Sequence, residues 1–227
     1  MVNNLGLVKL ASRDYSQAEE SLTRALRIRE ELAARDPENL GYSAGLSFSY
    51  HDLGRTLEAA ARLEEAEACY RKAVERKENV LAASPRDPES RFQLASSYAA
   101  YSRLLRKMNK RREAMFAGEK AAGLYRALAD DYPHIASYFQ GAVTECQRLI
   151  QDYVLQKKTD EAELICGQLV AMGKSQRRLP GRQHDIEAMR TLAQTLEQTA
   201  RGFTAAPFVS RNRGDLVEIW QLAVDSY

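Results

Sequence analysis

An all-α stack of antiparallel helix hairpins is the fold that this sequence predicts. Three observations carry that expectation: an alanine recurring at constant spacing, helical periodicity on both sides of it, and prolines that close the repeats. The alanines are Ala18, Ala66, Ala114 and Ala162, and the differences 66−18, 114−66 and 162−114 are each 48. A second small residue follows seven positions later at Ala25, Ala73 and Ala121, giving way to Leu169 in the last copy. Twelve positions before each alanine stands a third anchor, at Gly6, Gly54, Ser102 and Ile150. Repetition of this kind outranks local signals, because a single repeat cannot bury its apolar face and must stack on a neighbour.

Each repeat opens with apolar periodicity around the Gly or Ser anchor, best seen from Phe48 through Tyr50 and Leu53 to Leu57. A polar turn follows, near Ser12 to Asp14, Ala61 to Leu63, Asn109 to Arg111 and Lys157 to Asp160. The second segment carries apolar residues at i, i+4 and i+7, as in Ala66, Tyr70 and Ala73. Both segments read as amphipathic helices, and so short a turn makes them antiparallel neighbours. Glycine in one helix and alanine in the other let the two axes approach closely, since a larger side chain would hold them apart. The repeats close at Asp36-Pro37-Glu38, Asp87-Pro88-Glu89, Tyr132-Pro133 and Leu179-Pro180. Asp-Pro-Glu predicts a helix start, with Asp as the cap and Pro at the first helical position. Those two copies are 51 residues apart (87−36), so the linkers are expected to vary while the helix anchors do not.

The pattern Leu53-Gly54 with Leu57, then Ala66, Tyr70 and Ala73 and a trailing proline, resembles the tetratricopeptide repeat. The second repeat carries it almost completely, and the first carries Leu5, Gly6, Ala18 and Ala25. The third has Ser102 for glycine and Gly118 where an aromatic is usual. The fourth has Ile150 and Leu169 at small-residue positions, so its helices are expected to pack further apart. The resemblance spans residues 1–180, divided as 1–36, 37–84, 85–132 and 133–180, and implies a right-handed superhelical solenoid. A period of 48 against the usual length of about 34 implies helices longer by one to two turns.

The ends depart from the pattern. Only five residues precede Gly6, against 14 to 17 between the proline break and the anchor in later repeats, so the natural chain is expected to continue N-terminally. After Pro180 the anchors lapse, and 181–227 is expected to cap the stack. Within it, residues 185–201 read as a helix through Ile186, Met189, Leu192 and Leu196, and Trp220 is expected to cover the exposed end.

Composition narrows the function. The 227 residues are 44% hydrophobic and 28% charged, and 33 Lys plus Arg against 31 Asp plus Glu leave a net charge of +2. So balanced a chain gives no global pull toward nucleic acid or an anionic membrane. Three scattered cysteines (Cys69, Cys146 and Cys166) without a C-x-x-C pair fit a reducing compartment, and the chain reads as cytoplasmic. There is no Gly-rich phosphate loop, zinc-protease helix, nucleophile elbow or kinase motif, so the reading is non-enzymatic, with no cofactor. His51, His134 and His184 are far apart in sequence and lie in different units, which leaves little for a metal.

The sharpest charge feature is Arg103, Arg106, Lys107, Lys110, Arg111 and Arg112, six basic residues with no acidic one between 101 and 112. It is either a solvated helix end and turn, where cations complement the helix dipole, or an electropositive patch for an acidic partner. The family resemblance implies that first helices line a concave groove. The matching positions here are Asn3 and Asn4; His51, Asp52, Arg55 and Glu58; Arg103 and Arg106; and Arg148 and Gln151. Arginine forks suit carboxylates through paired charge-assisted hydrogen bonds. The expected function is therefore a protein-interaction scaffold or adaptor that binds a peptide or acidic segment in the groove. The alternative is a non-catalytic segment of a larger bacterial signalling enzyme. Ala25 to Asn39 resembles the long arrays appended to bacterial serine/threonine kinases. Oligomeric state is left open.

Overall fold

The computed structural model describes residues 9–10, 12, 14–177 and 194. Among these the chain is all helix, in seven long segments: α1 (Tyr15–Arg35), α2 (Leu40–Ala59), α3 (Leu63–Ala83), α4 (Pro88–Lys107), α5 (Arg111–Asp131), α6 (Ala136–Leu155) and α7 (Thr159–Arg177). Helices of 19 to 21 residues are about 30 Å long at 1.5 Å per residue. Lys9 and Leu10 are also helical. Gly6, Asn3 and Asn4, and the C-terminal expectations at Pro180, at 185–201 apart from Gln194, and at Trp220, lie outside the described residues.

One turn is used over and over to fold the first helix of each repeat back on the second. After α2 the Arg62 N–H donates to the Leu57 carbonyl at 2.9 Å, and the Ala61 N–H to the Glu58 carbonyl at 3.1 Å. Ala61 takes a left-handed φ of 60° between them. This is a Schellman ending, which satisfies carbonyls that the helix cannot satisfy itself. The same pair of bonds recurs after α4, from Lys110 and Asn109, and after α6, from Lys158 and Lys157. Asn109 and Lys157 have φ of 58° and 57°. The bond from Asp14 N–H to the Lys9 carbonyl begins the same turn before α1. In every case the residue that closes one helix also accepts the first bond of the next, as Arg62 O does from Ala66 N.

Helix starts keep the same register. α2 is capped by Asn39, whose side chain accepts from the Gly41 and Tyr42 amides. α4 is capped by Asp87, which accepts from Ser90 N at 2.7 Å, with Pro88 in the first turn. The Asp-Pro-Glu expectation is thus right for Asp87 and wrong for Asp36, which ends α1 and accepts a side-chain bond from Asn39. The reason is local. Asn39 sits one apolar residue before the α2 periodicity begins, and Asn caps as well as Asp. Asn39, Asp87 and Ile135 are the N-cap positions of α2, α4 and α6, each 48 residues from the next, so these caps obey the period that the Asp-Pro-Glu copies break.

The repeat anchors are the points of closest packing. Ala18, Ala66, Ala114 and Ala162 are each 0% exposed. A Cβ added to Gly54 would stand 3.3 Å from the Tyr70 ring and 3.4 Å from Cys69 Cβ, the contact distance of two tightly packed helices. Ser102 fills the equivalent place and donates its hydroxyl to the Ala114 carbonyl at 2.6 Å, so the extra atom finds a partner across the hairpin. Ile150 and Leu169, the larger anchors of the fourth repeat, are both buried.

The chain divides into two compact units, Met1–Ala117 and Gly118–Tyr227. In the first, one apolar core runs through four helices: Leu22 and Leu26 of α1, Leu46, Tyr50, Leu53 and Leu57 of α2, Tyr70 of α3 and Leu104 of α4. Each such large side chain, fully buried, contributes about 1.5–3 kcal/mol. In the second, Leu128 of α5, Phe139, Leu149 and Ile150 of α6 and Leu169 of α7 are the largest fully buried side chains.

A set of polar contacts between successive hairpins also recurs in the first unit. Tyr50 donates to Glu30 at 2.6 Å, and Tyr98 to Glu78 at 2.5 Å. Arg29 donates to Ser49, and Lys77 to Ser97. Arg62 pairs with Glu19 and Lys110 with Glu67, both at 2.6 Å.

A candidate interaction face on α2 and α4

The second half of α2 and the C-terminal end of α4 bring charged residues of both helices together within the first compact unit. On α2, His51, Asp52, Arg55 and Glu58 are spaced at one to two turns and share one side of the helix. On α4, Arg103 and Lys107 are one turn apart. Glu58 joins the two helices. Its Oε1 accepts from Lys107 Nζ at 2.5 Å, and its Oε2 accepts from Arg103 Nη2 at 3.4 Å and from the Tyr70 hydroxyl of α3 at 3.0 Å. Burial works against ionising this carboxyl, but the bonds from Lys107 and Tyr70 and the Arg103 charge outweigh it and hold the pKa below the ordinary glutamate value.

The exposures have a consistent sense. The Glu58 side chain is 8% exposed, against 45% for Arg103 and 52% for Lys107. Asp52 is 13% exposed and stands 4.0 Å from Arg55, which is 51% exposed. The carboxylates are recessed and the cations stand forward. The face therefore presents positive charge although acidic residues are interleaved with it in sequence.

His51 behaves differently from its register neighbours. Its ring meets the Tyr70 ring edge-on at 5.4 Å, and Nδ1 lies 3.3 Å from the Ser97 hydroxyl. Burial, then the positive charges of Lys77, Arg55 and Arg103, push its pKa down to about 3, so the imidazole is neutral. Ser97 is also bonded by Lys77 Nζ at 2.8 Å, and that ammonium reaches the Gln93 carbonyl at 3.2 Å and lies 5.0 Å above the Phe48 ring. Burial lowers the Lys77 pKa to about 8. Ser97 is 0% exposed, so this trio is a packed polar seam between α2, α3 and α4.

Of the other residues read from the sequence, Arg106 is half-buried and donates to Ser102 Oγ at 2.7 Å. Arg148 and Gln151 lie on α6 in the second compact unit, where Arg148 pairs with Glu145 one turn away and Gln151 is exposed. Asn3 and Asn4 lie outside the described residues. Lys107, a member of the basic cluster, was not placed in the groove by register. Its spacing of one turn from Arg103 is the signal that could have found it. Lys77 was also missed, and its signal is a lysine one turn beyond Ala73 on an otherwise apolar stripe.

Among the described residues no cluster of three or more His, Cys, Asp or Glu side chains could hold a metal, and no helix is long and apolar enough to cross a membrane. Burial pushes the Cys146 thiol up to about 12. That holds it as an inert small hydrophobe rather than a nucleophile.

Comparison with known proteins accords with the helical-repeat fold. The tetratricopeptide repeat family model matches residues 2–79. No curated protein matches the chain. Among solved structures, a kinesin-light-chain-like protein of Podosopora anserina, built of nearly identical TPR-like repeats, is similar with a TM-score of 0.60 and 15% identity. That match covers 99% of this chain and 92% of the other. BtubC (BKLC) from P. vanneervenii is similar with a TM-score of 0.59 and 16% identity, over 100% of this chain and 80% of the other. Identity so low speaks to fold alone, and the tetratricopeptide fold is typically one of protein–protein interaction. The family match thus identifies tetratricopeptide repeats at residues 2–79, and the solved structures share a TPR-like fold over the length of the chain.

Proposed function

We propose that this protein is a non-catalytic, cytoplasmic interaction scaffold that holds an acidic peptide segment across the cationic face of α2 and α4. One observation carries the reading: Arg55, Arg103 and Lys107 are about half exposed while their counter-carboxylates Asp52 and Glu58 are recessed. Arginines can bind an incoming carboxylate through paired, charge-assisted hydrogen bonds. Arg148 and Gln151 hold the corresponding register on α6, as Asn3 and Asn4 do in the first repeat. The partition into repeats 1–36, 37–84, 85–132 and 133–180 with a cap at 181–227 belongs to the same reading.

The partner is read as protein because the basic residues form a local face rather than a continuous stripe, and Phe48, a single exposed aromatic on α2, is not the alternating series that stacks successive bases. The test is a fluorescence anisotropy titration of the full chain with a labelled oligoglutamate peptide. Arg103→Ala with Lys107→Ala should weaken binding by about tenfold or more, and binding to the wild type should fall as salt rises. A double variant that binds as the wild type does would remove this face from consideration.

A further inference from the structure

Glu58 stands behind the cations of the α2–α4 face and is fixed there. Both carboxylate oxygens are engaged, one by Lys107 Nζ and the other by Arg103 Nη2 and the Tyr70 hydroxyl. Tyr70 is 0% exposed and belongs to the core of the first compact unit, so its bond ties the carboxylate to the interior. A surface carboxylate on a flexible stem would swing aside as another anion approached. This one is held in place.

Building on the acidic-segment reading above, we propose that Glu58 is the affinity-setting residue of the face. It is a built-in counter-carboxylate that damps the attraction of Arg103 and Lys107 for any single anion, so that a segment carrying several carboxylates is held and an isolated carboxylate is not. An anion arriving at the outer side of Arg103 or Lys107 meets the Glu58 charge just beyond the cation. That separation is shorter than the Debye length of about 8 Å at physiological salt, so dissolved ions do not cancel the repulsion. A segment with several carboxylates also reaches Arg55 and offsets it.

Glu58 could instead act only by orienting its partners, and the two roles have opposite signs. Pure orientation makes a neutral residue at this position weaken binding, whereas a damping charge makes it strengthen binding. The geometry favours damping at Arg103, which touches Glu58 through one nitrogen at 3.4 Å and keeps 45% of its side chain in solvent.

The test uses the full chain and a labelled oligoglutamate peptide at low and physiological salt. Glu58→Gln preserves the size of the side chain and can still bond Tyr70, and a melt followed by circular dichroism checks its folding. It should bind the peptide about three- to tenfold more tightly than the wild type, with a steeper salt dependence. Glu58→Ala should shift affinity in the same direction and serves if the Gln variant is unfolded. Equal or weaker binding by these variants, while the wild type binds and Arg103→Ala with Lys107→Ala does not, overturns the role of Glu58 and leaves the face intact. Failure of both wild type and variants to bind the peptide overturns the acidic-segment reading along with it.

Discussion

His51 shows how one side chain can hold a groove position in register and a seam position in space. Its neighbours in the first compact unit are Arg55 and Glu58 on α2, Tyr70 and Lys77 on α3, and Ser97 and Arg103 on α4, and burial among them leaves the imidazole neutral. The sign of the pH effect follows. The folded pKa of about 3 lies below the ordinary 6.5, so between those values the unfolded chain binds the proton and the folded chain does not. Stability from this source is complete above pH 6.5 and is lost as pH falls toward 3. Glu58, whose pKa is also lowered, adds loss in the same direction at the acid end of the range. His51→Gln, which cannot be protonated, should flatten the decline by an amount on the order of a few kcal/mol across that window, at about 1.4 kcal/mol per pH unit at most. Urea midpoints taken at several pH values read it directly. A variant whose midpoint falls with acid as steeply as the wild type's would show that the histidine is not the proton acceptor.

At the scale of the element, the inter-helix turn is where the sequence departs from what the backbone asks for. Three turns need a left-handed residue and none has glycine, since Ala61, Asn109 and Lys157 fill the place. Asparagine tolerates that region, whereas for alanine it costs roughly 1 kcal/mol. Ala61→Gly should therefore raise stability by about 0.5–1 kcal/mol, with Asn109→Gly nearly neutral, as chemical denaturation would report. Equal effects at the two sites would mean that something other than φ sets the cost. These turns also show what was legible in the sequence. The Ala anchors could be read because the point of closest approach between two helices admits only a small residue, and that constraint repeats every 48 residues. The positive φ at Ala61 could not be read, because alanine carries no turn signal. The helix start at Asn39 was obscured by Asp36-Pro37, a stronger-looking cap three residues too early. On the candidate face, register gave the arginines, but Glu58 lies recessed under Arg103 and Lys107 only because α2, α3 and α4 meet there. Sequence spacing within one helix carries no information about a bond from Tyr70 on the next.

Across the first compact unit, two successive hairpin interfaces are built on one plan. Glu30 on α1 receives Tyr50 from α2, and Glu78 on α3 receives Tyr98 from α4. Both tyrosines are nearly buried, at 7% and 6% exposure, and burial followed by the adjacent glutamate raises both phenol pKa values. In the second unit the matching positions hold Arg126 and Cys146, and Arg126 turns to Gln168 on α7 instead, so this latch ends with the first unit. A stack in which each repeat contacts only its neighbours has a stability close to a sum of repeat and interface contributions. The two latches share no residue, which makes them a clean probe of that additivity. Tyr50→Phe and Tyr98→Phe each delete one hydroxyl and leave the ring packed, so each should cost about 0.5–1.5 kcal/mol. The double variant should lose the sum of the two within about 0.5 kcal/mol. Equilibrium urea unfolding of the four proteins closes the cycle. A double variant that departs from the sum by well over that margin would mean that the two interfaces communicate through α2 and α3. The first compact unit would then behave as a single cooperative body rather than as a row of independent joints.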